Sequence, residues 1–342
     1  MTRVPSVVEM SDDLATPVLA VLCDGDERPG HLDSLAGRVS VRYTDTAGLG
    51  DAVEGAQALL LWDFFSGALS EAWPRATELS WVHVAAAGVD TLLFPALIDS
   101  PVVVTNARGV FDRPIAEFVL ASILAHAKDM HASWDFQRAR QWRHRETRSV
   151  AGTTALVVGT GGIGRETARV LRAVGITVRG AGRTARDGDG EFDQIVASCE
   201  LASHLSDVDH LVLAAPLTDQ TRGLVGTSVL AVMKPTAHLV NVGRGPLIVE
   251  GAVVEALRAG RLAAASLDVF TTEPLPAEHP IWSTPGVTVS AHMSGDVVGW
   301  RDTLARQFVA NAEHWLNGEP LDNVIDKRLG FAASASPQKE TA

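Results

Sequence analysis

The chain has 342 residues, of which 46% are hydrophobic, so it can bury a large core and is long enough for about two domains. Its formal net charge of −12, without a run of Lys or Arg, argues against nucleic acid or an anionic membrane as a partner. The amino end does not resemble a secretory signal and no apolar run reaches about 18 residues, so we expect a soluble cytoplasmic protein.

Short β-rich runs recur along the amino-terminal third of the chain, separated by segments with helix-compatible or turn-forming residues. This spacing predicts a parallel α/β sheet. The runs are PVLAVLCDG, RVSVRYTD, AQALLLWD, LSWVHVAA and PVVVTNARG. Trp62, Phe64 and Phe65 follow the third run, and either line an apolar pocket for a substrate side chain or belong to the core.

A long helix is predicted to begin near Asp112, with Asp112 as its N-cap and Pro114 in its first turn. Its apolar positions run through Ile115, Val119 and Ile123. Such a helix could join two domains, lie in a core or form one side of a dimer contact. The sequence leaves these three alternatives open.

A glycine-rich turn follows the strand-like run TALVV and opens an amphipathic helix that is followed by another strand. In such a turn the first glycine permits a tight bend, the second lets the backbone approach a pyrophosphate, and the third allows close packing of helix on strand. The helix N-terminus adds free N–H groups and a partial positive charge. The candidate cofactor-binding residues are Gly159, Gly161, Gly162, Ile163 and Gly164.

The choice between NAD and NADP depends on the residues after the second strand of this dinucleotide-binding unit. An acidic side chain there would bind an unphosphorylated ribose, but the chain reads GAGRTAR over residues 180–186. Arg183, with Thr184 and Arg186, could pair with a 2′-phosphate through charge-assisted hydrogen bonds. The alternative is a solvent-exposed basic turn. We favour NADP(H) over NAD(H).

Three chemically capable side chains each come directly after a predicted strand. Arg244 follows AHLVNVG, Glu273 follows AAASLDV, and His292 ends GVTVSAH. Because the carboxyl ends of parallel strands share one edge of a sheet, these residues should converge beside the cofactor. Taken singly, they could be a surface charge, a solvated carboxylate and a structural histidine.

The segment VNVGRGPLIVEGAVVEALRAGRLAAASLDVFTTEPLPAEHPIW, followed by VTVSAHMSG, resembles the D-isomer-specific 2-hydroxyacid dehydrogenases. The resemblance continues upstream through LAAPLTDQTRGLVG and RPIAEFVLA to AAAGVD at residues 85–90, so it covers most of the chain. It implies an α/β protein with two Rossmann-like domains. A flavodoxin-like substrate domain would comprise residues 1–108 and 295–330, with a dinucleotide-binding domain inserted at 109–294. The small polar residues of 331–342 are expected to form a flexible tail.

The resemblance also implies the roles of the site residues. Arg244 would bind the substrate carbonyl and carboxylate, His292 would donate a proton during reduction, and Glu273 would hold the imidazole. A neighbouring carboxylate favours the imidazolium form, as a general acid requires. Backbone amides of one loop would hold the substrate carboxylate, and that loop is formed by Ala87, Gly88 and Val89.

Further family positions concern the cofactor and the reaction. Asp268 matches a position near the nicotinamide carboxamide, with a strand-terminal cap as the alternative, and Ala215 and Pro216 match a strand end that lines the dinucleotide. Ala291 departs from the Pro that is common before the histidine. Glu273, where formate dehydrogenases have Gln, disfavours formate, whereas phosphite oxidation stays open.

The predicted function is therefore a D-2-hydroxyacid dehydrogenase, or 2-keto acid reductase, that transfers hydride between NAD(P)H and C2 of a 2-keto acid. Glyoxylate, hydroxypyruvate, pyruvate, phenylpyruvate and branched 2-keto acids all remain candidate substrates. The alternative from another class is a dinucleotide-sensing protein that resembles transcriptional corepressors of the same fold. We expect no metal, because hydride transfer needs none and no ligand cluster appears. The family implies a homodimer.

Overall fold

The computed structural model of the chain describes residues 16–25, 27–64 and 66–331. These residues form two compact units. The first unit contains residues 16–85, Phe94–Thr105 and Ala305–Val324, and the second contains Ala86–Leu93, Asn106–Leu304 and residues 325–331. The second unit thus includes residues 86–93 and 295–304, which the sequence assigned to a substrate domain. Apart from Phe331, the predicted tail at 331–342 lies outside the described residues.

The first unit is built on a five-stranded sheet with the order β2-β1-β3-β4-β5. The neighbours β1–β2, β1–β3 and β3–β4 all pair in parallel. This order is the flavodoxin-like one. The strands coincide with the five predicted runs and are β1 (Val18–Leu22), β2 (Ser40–Thr44), β3 (Ala58–Leu61), β4 (Trp81–Val84) and β5 (Val103–Asn106).

Helices cover this first sheet, and its central strands are buried on both faces, as parallel strands usually are. Trp81 stacks on Phe308 with ring centroids 5.3 Å apart, and its indole N–H donates to Thr105 Oγ1 at 2.9 Å. Trp62 is buried, which favours its core assignment, whereas Phe65 lies outside the described residues. The helices are α1 (Leu49–Val53), α2 (Leu69–Ala72), α3 (Pro95–Asp99) and the part of α9 (Trp300–Asn317) from Ala305 onward.

The second unit contains an eight-stranded sheet with the order β13-β12-β11-β10-β6-β7-β9-β8. Its central order, β9-β7-β6-β10-β11-β12, is the 3-2-1-4-5-6 order of dinucleotide-binding sheets. All its pairs are parallel except β8 with β9. The strands are β6 (Thr154–Val158), β7 (Thr177–Gly182), β8 (Arg186–Asp187), β9 (Gln194–Ala197), β10 (His210–Leu213), β11 (His238–Asn241), β12 (Ala264–Leu267) and β13 (Val287–Val289).

The longer helices of this unit include the predicted one near residue 112, which packs against the helix after the glycine loop. The predicted N-cap is wrong: Phe111 occupies that position, and Asp112 is the first helical residue. Gly175 has a φ of +86° just after the helix that follows the glycine loop, as expected for a residue that ends a helix. The helices are α4 (Asp112–Ala127), α5 (Met130–Arg138), α6 (Gly162–Ala173), α7 (Thr227–Leu230) and α8 (Glu250–Arg258).

The two parallel sheets confirm the predicted α/β class with Rossmann-like units. Both cysteines are free; Cys23 is buried, whereas Cys199 is exposed. Within the described part of the chain, no helix combines the length and apolar character needed to cross a membrane.

Candidate active site

The glycine loop lies between β6 and α6 in the second unit. Gly159 has a φ of +105°, and a Cβ at this position would lie 2.6 Å from the carbonyl oxygen of Ala214. A Cβ at Gly164 would overlap the carbonyl oxygen of Gly159. Around Gly161, in contrast, no heavy atom lies within 4 Å of the Cβ position. A pyrophosphate approaching Gly161 would meet the backbone N–H groups that the first turn of a helix leaves without intrahelical partners.

The strand end at Ala215 lies against this loop. The backbone nitrogen of Ala215 is 2.8 Å from the Cβ position of Gly159, so the segment that follows β10 is in direct contact with the glycine loop. Ala215 is buried and Pro216 is exposed, with its carbonyl oxygen accepting a hydrogen bond from Thr221 Oγ1 at 2.8 Å. These residues lie on the sheet edge where a dinucleotide would extend from the glycine loop.

The basic turn after β7 is exposed, and it brings one arginine to the glycine loop. Arg186 donates from Nη2 to Thr160 Oγ1 at 3.4 Å and lies 3.8 Å from Asp189 Oδ2. Arg183 instead lies over the ring of Phe331, 4.8 Å from its centroid. Thr184 is exposed between them. Arg186, which the sequence analysis named only as an accessory, is thus the arginine beside the loop.

Arg244 follows β11, and its guanidinium is oriented by two acceptors. Nε donates to both carboxylate oxygens of Asp90, at 3.0 and 3.2 Å, and Nη1 donates to the carbonyl oxygen of Gly243 at 2.8 Å. Asn241 donates from Nδ2 to the Arg244 carbonyl oxygen at 3.0 Å. The Arg244 side chain is 27% exposed. The fork of donors is therefore held in one orientation while part of it stays accessible to a ligand.

The loop of Ala87, Gly88 and Val89 meets this guanidinium. A Cβ at Gly88 would overlap Arg244 Nη2, so only glycine allows the backbone to come so close. Asn106 supports the loop by donating from Nδ2 to the Ala87 carbonyl oxygen at 2.5 Å. The structure thus brings together two groups that are more than 150 residues apart in sequence, as the bond between Asp90 and Arg244 records.

Glu273 and His292 form a hydrogen-bonded pair. Nδ1 of His292 lies 2.7 Å from Glu273 Oε2, and the second carboxylate oxygen accepts from the backbone N–H of Phe270 at 2.7 Å. The two side chains are 29% and 30% exposed. The ring is thereby oriented through Nδ1, so a proton transfer to or from a substrate would use Nε2.

Opposing influences act on the Glu273 carboxyl. Burial raises its pKa, but the hydrogen bonds from His292 and the Phe270 N–H, with the positive charges of His292 and Arg244, outweigh burial and lower the pKa below its ordinary value. Glu273 therefore stays ionised through the neutral range, where it can orient the imidazole and stabilise an imidazolium.

Asp268 holds the loop that carries His292. Its fully buried carboxylate accepts hydrogen bonds from Ser290 Oγ at 2.6 Å and from the backbone N–H groups of Met293 and Ser294, both at 3.0 Å. The N–H of His292 donates to the Asp268 carbonyl oxygen at 2.8 Å. His292 has a φ of +52°, a conformation that costs a non-glycine residue about 1–3 kcal/mol. These bonds over-determine that strained conformation.

Sequence reasoning missed two contributions. Asp90 was part of the quoted motif AAAGVD but had no assigned role, although it orients Arg244. For Asp268 the sequence suggested a cofactor contact or a strand-terminal cap, and its hydrogen bonds to the loop of His292 were not predicted. The carboxylate in a glycine-containing loop was the available signal for Asp90; no sequence signal pairs Asp268 with residues 290–294. Among the described residues, no group of three or more His, Cys, Asp or Glu side chains could hold a metal ion.

Comparison with known proteins supports the same assignment. The family model for the NAD binding domain of D-isomer specific 2-hydroxyacid dehydrogenases matches residues 120–294. Glyoxylate reductase from Aeropyrum pernix is 32% identical over 265 residues, which cover 75% of this chain and 78% of that protein. The chain belongs to the D-isomer-specific 2-hydroxyacid dehydrogenases.

Two solved structures of this dehydrogenase family are similar over more than nine-tenths of the chain. A D-isomer specific 2-hydroxyacid dehydrogenase from Xanthobacter autotrophicus, in complex with NADPH and MES, has a TM-score of 0.75 and 30% identity and covers 93% of this chain and 100% of its own. The NADPH-dependent glyoxylate/hydroxypyruvate reductase from Sinorhizobium meliloti, with NADP and sulfate, has a TM-score of 0.78 and 26% identity and covers 92% and 100%.

The predicted family and enzyme class are thus confirmed: this dehydrogenase is an NAD(P)-dependent oxidoreductase of 2-hydroxy acids. The roles of its individual site residues stay predictions, and the geometry described above is what supports them.

Proposed function

We propose that this dehydrogenase reduces a small 2-keto acid to the D-2-hydroxy acid, with NADPH as the preferred reductant and His292 as the proton donor. One observation carries the proposal: Arg244 with the Gly88 loop, and His292 with Glu273, present an anion-binding group and an acid on the same unit as the glycine loop. The relatives named as glyoxylate and hydroxypyruvate reductases make these two acids the first substrates to test.

The substrate carboxylate would lie against the backbone of Ala87, Gly88 and Val89. A carboxylate there would meet Arg244 Nη2, which occupies the space that a Gly88 Cβ would need, whereas Nε and Nη1 are already bonded to Asp90 and Gly243. The two occupied nitrogens fix the plane of the guanidinium. This division of the donors supports a role for Arg244 in binding the substrate carboxylate and carbonyl oxygen.

The glycine loop would hold the dinucleotide, which would supply the hydride for C2 of the keto acid. As the carbonyl oxygen gains negative charge, Arg244 would stabilise it and His292 would give it the Nε2 proton. His292 would give up this proton from its imidazolium form, so its ring would become neutral. The ring would then regain a proton from solvent. Glu273 would stabilise the imidazolium before transfer and keep the ring oriented through Nδ1.

The proposed preference for NADP(H) is supported by three features. No acidic side chain ends β7, because Arg183 follows Gly182 directly. Arg183 and Thr184 are exposed in the turn, and Arg186 contacts the glycine loop through Thr160. The similar structures from Xanthobacter and Sinorhizobium contain NADPH and NADP. A 2′-phosphate would pair with the guanidinium groups of this turn.

A cytoplasmic homodimer is part of the proposal. The family implies a dimer, and α5 with the segment after it offers apolar surface: Met130, Trp134 and Trp142 are 37%, 44% and 99% exposed. Light scattering after gel filtration should give twice the 36.2 kDa of one chain. A mass of one chain at micromolar concentration would contradict the dimer.

The deciding experiment follows the loss of reduced-nicotinamide absorbance with NADPH and NADH in parallel. Glyoxylate, hydroxypyruvate, pyruvate, phenylpyruvate and a branched 2-keto acid form the panel, and the His292→Ala variant is the control. We expect turnover with NADPH and the small acids that the substitution abolishes. Tight dinucleotide binding without turnover of any acid would instead support the sensing protein.

A further inference from the structure

Two consecutive peptides, which meet at Phe270, contact several parts of the site. The Phe270 N–H donates to Glu273 Oε1, and the Thr271 N–H donates to Glu250 Oε1, each at 2.7 Å. A Cβ at Gly245, the residue after Arg244, would overlap the Phe270 carbonyl group. The Phe270–Thr271 peptide therefore contacts Gly245 and Glu250, and the peptide before it, through the Phe270 N–H, contacts the carboxylate that holds the histidine.

Glu250 is the first residue of α8, but its carboxylate accepts a hydrogen bond from the loop of Thr271 instead of one from its own helix. The bonded Thr271 lies 21 residues further along the chain. The Glu250 side chain is only 14% exposed. A carboxylate that merely complemented the helix dipole would need neither this burial nor this partner.

His279 supports Glu250 from the other side. Its Nδ1 accepts the Ile281 N–H at 3.3 Å, so the neutral ring carries its hydrogen on Nε2. That Nε2 lies 3.4 Å from Glu250 Oε2. The ring therefore lies beside the carboxylate oxygen that Thr271 does not use. Both side chains line a surface cavity of about 480 Å³.

We propose that Glu250, held by His279, is a positioning residue for the pair of Glu273 and His292. By fixing the Thr271 N–H it holds the Phe270–Thr271 peptide against Gly245, and the Phe270 N–H then keeps Glu273 aligned with the imidazole. Glu250 itself touches neither substrate nor cofactor. The inference rests on the proposed function for its kinetic consequences, but not for its effect on the ring of His292.

The first test compares Glu250→Leu with Glu250→Gln in steady-state assays with NADPH and glyoxylate. The leucine variant loses the acceptor for the Thr271 N–H, and we expect kcat to fall about tenfold, with the KM for NADPH unchanged and the pH profile of kcat displaced. The glutamine variant keeps an oxygen acceptor, so kcat should return to within about threefold of the wild type.

A helix-dipole role predicts another result, because both variants lose the charge. Equal kcat values for the leucine and glutamine variants, accompanied by equal losses in Tm, would overturn the proposal. So would a leucine variant with wild-type kcat. Glu255→Leu is the matched control, since Glu255 lies on the same helix and pairs with Arg261 at the surface; its kcat should stay within about twofold.

The second test does not need turnover. The ¹⁵N shifts of the His292 ring, assigned by their loss in His292→Asn, report the bond between Nδ1 and Glu273. We expect these shifts to move in Glu250→Leu and to return in Glu250→Gln. Unchanged shifts in the leucine variant would refute the positioning role even if the enzyme reduces keto acids, and a shift that moves in an enzyme inactive on every acid would refute only the proposed function.

Discussion

The two ends of the eight-stranded sheet hold histidines in different surroundings. At the carboxyl end, the His292 side chain is 30% exposed and hydrogen-bonded to a carboxylate. At the amino end, His210 and His238 are buried at the starts of β10 and β11. The ring of His238 lies 4.8 Å from that of His126 and 6.0 Å from that of His210. Neither ring nitrogen of His210 has a hydrogen-bond partner within the described part of the chain.

Burial keeps the two histidines at the amino end neutral. Burial lowers the pKa of His210 to about 4, with Asp209 opposing the shift and His126 and Lys234 adding to it. Burial and the neighbouring His126 and His210 also lower the pKa of His238. The amino end therefore holds neutral, buried imidazoles, whereas the imidazole at the carboxyl end is hydrogen-bonded to the carboxylate of Glu273, whose pKa is lowered.

The largest expected effect comes from removing the imidazole at the carboxyl end. His292→Asn should lower kcat/KM by about 10³-fold, because general acid catalysis is lost. Asparagine tolerates a positive φ, so the thermal midpoint should change little. Steady-state kinetics and a thermal melt measure both quantities. Activity within tenfold of the wild type would remove His292 from the role of proton donor.

At the amino end we expect a stability effect that depends on pH. Above pH 6.5 His210 is neutral in both the folded and the unfolded chain; as the pH falls towards 4, the unfolded chain gains a proton that the folded one refuses. The free energy of unfolding should therefore fall by up to about 3 kcal/mol over this window. His210→Leu should lose this component in urea unfolding at pH 7, 5.5 and 4.5, with unchanged activity at pH 7.

The matched control is His144→Leu, at an exposed position. It should retain the acid-sensitive component of the wild type. If His210→Leu and His144→Leu follow the same pH dependence, the contrast between the two ends of the sheet does not hold.

A smaller effect is expected from a methyl group placed at the Gly88 loop. Gly88→Ala should lower kcat/KM for the keto acid about 10²-fold, because its Cβ overlaps Arg244 Nη2 and must displace the guanidinium. The Kd of NADPH, measured by fluorescence, should not change. Gly67→Ala is the control, since no heavy atom lies within 4 Å of its Cβ position. Equal activity of both variants would show that Arg244 need not be held there.

The smallest effect concerns the basic turn. Arg186→Ser should raise the Kd of NADPH about tenfold and leave that of NADH unchanged, because one charge-assisted hydrogen bond to a 2′-phosphate is lost. Arg183→Ser should have a smaller effect, since Arg186 is the arginine that contacts Thr160. Titration of tryptophan fluorescence measures both constants. An equal loss of affinity for NADH would show that the turn attracts the phosphates common to both cofactors and does not recognise the 2′-phosphate.

Much of the fold could be predicted from local patterns. Continuous apolar runs predicted β1, β3 and β6 because central parallel strands are buried on both faces. The short β8 and β9 were not predicted, since Arg186–Asp187 carries no apolar pattern. The N-cap at Asp112 was misjudged because a favourable residue type does not determine where the first helical turn begins.

The candidate site was predictable where one strand end carries one reactive side chain, as at Arg244, Glu273 and His292. The supporting contacts were not, because they join segments distant in sequence: Asp90 to Arg244, and Asp268 to the loop of His292. Such contacts depend on how two loops approach each other in space, and the periodicity of a sequence carries no information about that approach.

The sequence by itself thus determined the elements, the glycine loop and the family, because hydrophobic period, turn residues and motif spacing are local properties. Only the tertiary structure decided the charge states of the ionisable groups and their hydrogen-bond partners. His210 is neutral, Glu273 is ionised, and the guanidinium of Arg244 is oriented by Asp90. The reason is physical. Burial, hydrogen bonds and nearby charges set the state of each ionisable group, and all three depend on the neighbours that folding brings together.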